Sequence, residues 1–214
     1  MRLYLTKTPR LIPYIFKKYT WRFGNQKKEI YLTFDDGPTP KVTSFVLDEL
    51  QKYNAQATFF CIGKNTVKNP LIFKRILNEN HAVGNHTHNH LKGFKSNCKQ
   101  YIENVLIAEK NMQQLDKTAN QSKLFRPPYG KIKKSQAKKL ISLGYHIIMW
   151  DVLSADFDTK IGKETCLQNV LKNAKNGSII VFHDSDKASQ KLYYALPKVL
   201  AHYSQLGYEF KKVG

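Results

Sequence analysis

The sequence predicts an α/β protein, a distorted (β/α) barrel of about seven parallel strands. Three observations point there. Short β-rich runs alternate with longer helical patterns along the chain. Several runs are continuously apolar, such as Ile179-Ile180-Val181-Phe182 and Ile147-Ile148-Met149-Trp150, which suits strands buried on both faces. Polar residues come immediately after separate runs: Asp35-Asp36, His86, Arg126, Asp151 and His183-Asp184. In a (β/α) barrel those strand ends converge on one mouth, whereas an open sheet would string them along an edge.

The elements follow in order. Residues 1–28 read as a basic, aromatic extension: Arg2, Lys7 and Arg10, then Leu11-Ile12-Pro13-Tyr14-Ile15-Phe16-Lys17-Lys18. The apolar run is too short for a signal-peptide core, and no stretch elsewhere approaches a membrane span. The preferred reading packs this segment across a barrel end; the other lays it on an anionic membrane surface. The expected location is cytoplasmic or membrane-peripheral, in a bacterium. Residues 29–214 hold the strand runs Glu29–Phe34, Ala57–Ile62, Ala82–Asn85, Lys123–Arg126, His146–Trp150, Ser178–Phe182 and Tyr208–Lys212. Helical patterns lie between them, near 41–53, 70–80, 98–115, 133–143, 162–174 and 189–205. Leu-Gly-Tyr at 143–145 and again at 206–208 reads as a helix end, a glycine and the next strand. Strands joined by helices imply parallel pairing and right-handed crossovers, a TIM-barrel-like plan.

A chain of 214 residues is most simply one globular unit with a substantial core, and a monomer is expected. Cys61, Cys98 and Cys166 are widely spaced and form no CxxC pair, so they read as free thiols. The formal charge of +19 reads first as a solvated lysine-rich surface. The sharper alternative is attraction to a polyanionic glycan or an anionic lipid surface. Lysines are spread along nearly every segment and no nucleic-acid-binding motif is present, so nucleic acid is not an expected partner.

Leu32-Thr33-Phe34-Asp35-Asp36-Gly37-Pro38 ends a β run in two adjacent carboxylates. On a regular strand they would point apart, but a Gly-Pro break lets both reach one cavity. Two acids sharing a site ionise freely only if a cation neutralises one. The bland alternative is a turn in which both bond their own backbone. His86-Thr87-His88-Asn89-His90 adds two imidazoles four residues apart, which one helical turn would place on one face. His88 is an alternative ligand in another geometry. Two imidazoles and a carboxylate suit catalytic zinc, and also non-haem iron.

Arg126-Pro127-Pro128-Tyr129-Gly130 is a stiff loop whose arginine suits a bidentate carboxylate clamp. Asp151 and Asp156 sit among aromatic residues in Trp150–Phe157. Val181-Phe182-His183-Asp184 ends an apolar strand in a histidine suited to acid work beside a carboxylate.

Together these segments resemble the polysaccharide deacetylases of carbohydrate esterase family 4, which share the nodulation-deacetylase homology domain. The resemblance runs from about Ile30 to the C-terminus. Thr33-Phe34-Asp35-Asp36-Gly37-Pro38 matches the first motif fully; His86–His90, Arg126–Tyr129 and Val181–Asp184 fit the second, third and fifth. The fourth is loosest, with Asp156-Phe157 where the family has an aspartate-tryptophan pair. The resemblance implies a catalytic domain over residues 29–214 that removes acetyl groups from N-acetylhexosamine units of a glycan. Peptidoglycan and chitooligosaccharides are the leading substrates; an O-acetyl glycan esterase and a silent glycan-binding barrel are the alternatives.

Carried over, the resemblance makes Asp36, His86 and His90 ligands of a divalent metal, zinc first, with Co2+ or Ni2+ as alternatives. Asp35 becomes the base that activates water, positioned by Arg126, and the Tyr129 backbone N–H an oxyanion donor. His183 becomes the acid for the leaving amine, its basicity raised by Asp156. Pro127, Tyr129, Phe157 and Val181 line the substrate site. The chemistry is coherent: amide hydrolysis needs an activated nucleophile, oxyanion stabilisation and an acid for a poor leaving group. An oxygenase would leave Asp35, Arg126 and His183 without roles.

Overall fold

The computed structural model describes residues 4–24 and 26–214; Met1, Arg2, Leu3 and Asn25 of the expected extension lie outside the described residues. Among the described residues one sheet contains nine strands: β1 (Tyr19–Thr20), β2 (Glu29–Asp35), β3 (Ala57–Cys61), β4 (Ala82–Asn85), β5 (Leu124–Phe125), β6 (His146–Ile148), β7 (Val152–Leu153), β8 (Ser178–His183) and β9 (Glu209–Phe210). Their spatial order is β1-β6-β5-β4-β3-β2-β8-β7, and β9 joins the start of β2. The strand pairs are parallel. This curled, mostly parallel sheet with its helices is a distorted (β/α) barrel. The seven expected strands are all present. β1 and β7 are additional, and two-residue strands are too short for any alternation to show in the sequence.

Among the described residues eight α-helices accompany the sheet: α1 (Ile12–Ile15), α2 (Pro40–Lys52), α3 (Gly63–Lys68), α4 (Pro70–Asn78), α5 (Cys98–Leu115), α6 (Lys134–Ser142), α7 (Lys163–Leu171) and α8 (Ser189–Gln205). Pro40 opens α2 at a position where its missing N–H costs nothing. Val42, Val46, Leu47 and Leu50 of α2 and Leu192, Leu196, Val199 and Leu200 of α8 are buried on one side of the sheet. Each such side chain contributes roughly 1.5–3 kcal/mol on burial.

Strand alternation decides what enters the barrel. Leu32 and Phe34 of β2 face the helices, where the Phe34 ring lies 5.1 Å from Phe59 and 6.2 Å from Phe182. Thr33 and Asp35 face inward and meet Arg126, so the polar half of β2 already points at the interior.

The segment before Glu29 is hydrogen-bonded to the sheet. Thr6–Thr8 run antiparallel to the start of β7, with Leu153 N–H donating to Thr6 O and Thr8 N–H to Asp151 O, both at 2.9 Å. Tyr19 and Thr20 then pair with β6, and Arg22 bridges to Ser178 of β8. Among the described residues no helix is long and apolar enough to cross a membrane.

Candidate active site

β2 delivers Asp35, which is 3% exposed, to the inside of the barrel. The chain then leaves the strand at Asp36, whose φ of 84° turns its carboxylate back toward the same space. Gly37 is obligatory here: a Cβ would lie 1.9 Å from Asp184 Oδ2. Its N–H donates to Asp184 Oδ1 at 2.9 Å, so the buried Asp184 anchors the turn. Both aspartates line one cavity of about 420 Å³ together with His86, His90, Tyr129, Phe157, Val181 and His183.

The two histidines converge without a helix, contrary to the expected helical turn. Thr87 (φ 64°) and His90 (φ 56°) are left-handed, and their loop is held by side-chain bonds in place of an i→i−4 ladder. Asn85 Oδ1 accepts Thr87 N–H at 2.8 Å, Thr87 Oγ1 accepts Leu91 N–H at 2.9 Å, and Asn104 Oδ1 accepts His88 N–H at 2.9 Å. Nε2 of His90 lies 3.4 Å, and that of His86 3.8 Å, from Asp36 Oδ1. The three donor atoms are all within 4.8 Å of one another. The His88 ring sits instead against Asn111 of α5, with Nδ1 3.3 Å from Nδ2.

These residues fit a metal. Asp36 Oδ1 is buried with no hydrogen-bond partner. His86 Nδ1 lies 2.8 Å from the Arg126 carbonyl, so Nδ1–H donates and the Nε2 lone pair is free. Burial, and next the neighbouring His86, push His90 down to about 4, keeping its imidazole neutral. An unpaired carboxylate oxygen facing two imidazole nitrogens is costly unless a cation stands between them.

Beside this triad, Arg126 is 0% exposed and bonded at every side: Nε to Ile148 O (3.1 Å), Nη1 to Thr33 Oγ1 and Asp35 Oδ1 (both 2.7 Å), and Nη2 to Met149 O (2.9 Å). Its guanidinium carbon lies 4.1 Å from the Phe60 ring centroid. The expected two-pronged clamp is thus a single contact, because backbone carbonyls take the other donors. Burial would raise the Asp35 pKa, but Arg126, with His86 and His183, outweighs it and holds the carboxyl below its ordinary value.

His183, at the end of β8, is half-buried, and Asp156 is fully buried beneath it. Burial alone would lower the His183 pKa; Asp156, then Asp36 and Asp35, raise it to about 9. The Phe157 ring stands edge-on to His183 at 5.1 Å. Tyr129 (φ 60°) presents its ring 4.6 Å from His90. Pro127 is buried under this loop and lies outside the cavity-lining set; its carbonyl accepts Gly130 N–H at 2.9 Å.

Asp151, expected at the mouth, faces elsewhere: it accepts Lys7 Nζ at 2.7 Å and Ser178 Oγ at 2.6 Å. Ser178 opens β8, so Asp151 sits at the N-terminal end of that strand, where β7 begins. Cavity-lining residues that the sequence does not mark include Tyr4, Trp150, Leu153, Lys131, Ser185 and Lys187. Tyr4 arrives from the far N-terminus, stacked edge-on to Phe157 at 5.4 Å and bonded through its hydroxyl to Asp158. Trp150 closes on the loop so tightly that a Cβ on Gly130 would lie 2.4 Å from it.

A bis-imidazole and carboxylate cluster beside an arginine-held aspartate, at the mouth of a (β/α) barrel, is the equipment of a hydrolase. The polysaccharide deacetylase family profile matches residues 24–148. The chain belongs to that family. A Bacillus cereus peptidoglycan-N-acetylglucosamine deacetylase is 37% identical over 195 residues, covering 91% of this chain and 90% of the relative. The solved peptidoglycan N-acetylglucosamine deacetylase Bc1960, in complex with 4-naphthalen-1-yl-N-oxidanyl-benzamide, superposes with a TM-score of 0.87 at 34% identity, covering 96% and 95% of the two chains. The peptidoglycan deacetylase PdaC of Bacillus subtilis gives 0.79 at 29% identity, covering 89% and 90%.

Proposed function

We propose that this member of the family hydrolyses the acetamido group of N-acetylhexosamine units, with peptidoglycan as the substrate class. One observation carries the reading: a buried, unpaired Asp36 oxygen faces two imidazole nitrogens beside an Asp35 kept anionic by Arg126. The two relatives at 37% and 34% identity, both peptidoglycan N-acetylglucosamine deacetylases, support the substrate class.

Asp36, His86 and His90 are the residues that would hold a divalent cation. Two imidazoles and one carboxylate with open positions suit zinc best, and Co2+ or Ni2+ can replace it. When bound, the ion would supply Lewis acidity and lower the pKa of water to about 7. Asp35 accepts the proton of the attacking water. Arg126 fixes Asp35 and keeps it ionised. The water oxygen adds to the acetyl carbon, and the Tyr129 backbone N–H donates to the carbonyl oxygen as charge builds there. The C–N bond then breaks as His183 gives its proton to the amine, leaving acetate and a free amino sugar. Asp156 orients His183 and keeps it protonated. Phe157 and Val181 wall the acetyl methyl group, while Pro127 shapes the loop from behind.

In this reading residues 29–214 are the catalytic domain, braced by the preceding segment, and the working unit is a monomer. The test is acetate release from purified peptidoglycan and from N-acetylglucosamine oligomers, before and after chelation and with zinc restored. Release that needs the metal and leaves free amino sugar supports the reading. Acetate released only from O-acetylated glycans would redirect it to an esterase, and binding without release would leave a silent glycan-binding barrel.

A further inference from the structure

The first acidic residue of the chain is Glu29, whereas Arg2, Lys7, Arg10, Lys17, Lys18, Arg22, Lys27 and Lys28 all precede it. Within this wholly basic stretch, α1 buries none of its residues. Leu11, Tyr14 and Ile15 stand at i, i+3 and i+4, one face of the turn, and are 72%, 71% and 68% exposed. Ile12 and Pro13 are half-buried on the other side, and Arg10, Lys17 and Lys18 are exposed at its two ends. Three large apolar side chains on one exposed turn, framed by cations, are unusual on a surface with nothing to bind.

The turn is held in place. The Phe16 ring stacks on Tyr19 at 5.7 Å, Trp21 Nε1–H donates to Phe16 O at 3.3 Å, and Tyr19 is paired to Ile147 of β6. Its place in the barrel follows from strand direction. Thr6–Thr8 run antiparallel to β7, so the chain passes from Tyr4 at the cavity toward the N-terminal ends of the strands before it reaches Pro9. The exposed turn therefore follows at the end of the barrel away from the catalytic mouth.

We infer that the turn Leu11–Phe16, framed by Arg10, Lys17 and Lys18, is a docking surface for an anionic phospholipid membrane. The apolar side chains enter the interfacial layer, where tyrosine is also favoured, and the cations meet the lipid phosphates. A soluble polyanion would use the cations but leave Leu11, Tyr14 and Ile15 without a role. Docked this way, the barrel directs its cavity away from the lipid. The inference concerns a surface remote from the cavity and is independent of which glycan is hydrolysed.

The test is flotation of the full chain with vesicles of phosphatidylcholine alone, or of phosphatidylcholine mixed with phosphatidylglycerol. The chain is expected to float with the mixed vesicles and not with the neutral ones, and to dissociate as salt rises. Replacing Leu11→Ser, Tyr14→Ser and Ile15→Ser together should lower partitioning roughly tenfold or more, with an unchanged unfolding midpoint. Lys17→Glu with Lys18→Glu should do the same. Heparin serves as the soluble polyanion, and the triple serine variant should bind it as tightly as the parent chain does. A triple variant that floats like the parent would overturn the inference and leave a general polyanion-binding surface. So would a parent chain that ignores the mixed vesicles.

Discussion

Asp156 holds His183 at two points. One carboxylate oxygen lies 2.7 Å from the imidazole Nδ1, and the other accepts the backbone N–H of the same residue at 2.7 Å. The carboxylate thereby fixes both the ring and the strand end that carries it. Ala155, in the left-handed region at φ 61°, makes the turn that brings Asp156 beneath β8.

The sign of the pH effect follows from this pair. Burial opposes the charge on His183, and Asp156, followed by Asp36 and Asp35, overcomes it and raises the pKa to about 9. An acid must be protonated to act, so kcat/KM should persist above the ordinary histidine range and fall as pH passes that value. Asp156→Asn removes the charge but keeps the shape, so its alkaline limb should move to lower pH. His183→Ala should cost ~10²–10⁴ in rate on an amide, and less on an ester with its better leaving group. A profile in Asp156→Asn that coincides with the parent would remove Asp156 from the mechanism.

In the proposed mechanism, Asp35→Asn separates the base from the ligands. Its side chain accepts from Arg126, whereas the metal-type cluster is Asp36, His86 and His90. Metal content should therefore stay near stoichiometric while kcat falls by ~10²–10⁴. Because Asp35 is held below the usual carboxylate range, activity in the parent should persist well into acid before protonation stops it. Elemental analysis and acetate release on the same preparation check both halves.

Asp36→Ala, His86→Ala and His90→Ala should each lower metal content, since each removes one of three donor atoms lying within 4.8 Å of one another. His88→Ala should bind metal like the parent, because its ring lies on Asn111 of α5. Equal loss in the His88 variant would reassign the ligands.

Much of this site was legible because its groups occur as short contiguous motifs at strand ends. Asp35-Asp36, His86–His90, Arg126–Tyr129 and Val181–Asp184 each need only one strand and one turn to reach the mouth. The route of the HxxxH pair was not legible: nothing in Thr87 or His90 announces left-handed backbone, which β-branched threonine rarely adopts. Asp151 misled for a related reason. The apolar run 146–150 reads as one strand, but the chain leaves β6 at Ile148 and re-enters the sheet as β7, and Asp151 falls between them. Tyr4, Lys131 and Lys187 reach the cavity through tertiary placement alone, which no local pattern records.

Arg126→Met tests how the barrel interior is held. The arginine pairs with an Asp35 that is 3% exposed, so removing it strands a buried carboxylate. Loss of one partner of such a pair typically costs ~3–5 kcal/mol. Urea unfolding should show a loss of that order. Adding Asp35→Asn should restore part of it, since the stranded charge is then gone. No recovery in the double variant would assign the cost to packing on Phe60 and to the Thr33, Ile148 and Met149 bonds.

His81 supplies a pH dependence of stability remote from the catalytic chemistry. Its ring is buried, accepts Ala57 N–H through Nδ1 at 3.2 Å, and stands edge-on to Phe59 at 5.5 Å. Burial, followed by the charges of Lys212 and Arg75, pushes its pKa down to about 4. In the unfolded chain it titrates near ~6.5. Between those two values the unfolded state holds a proton that the folded state refuses, so stability rises with pH across that window and is lost as pH falls through it. At ~1.4 kcal/mol per pKa unit, the full effect is about 3 kcal/mol. His81→Asn removes the titration and keeps an acceptor near Ala57. Urea midpoints of parent and variant should therefore converge as pH is lowered from neutrality toward the folded pKa, the parent falling more steeply. Parallel curves for the two proteins would show that His81 takes up its proton without penalty.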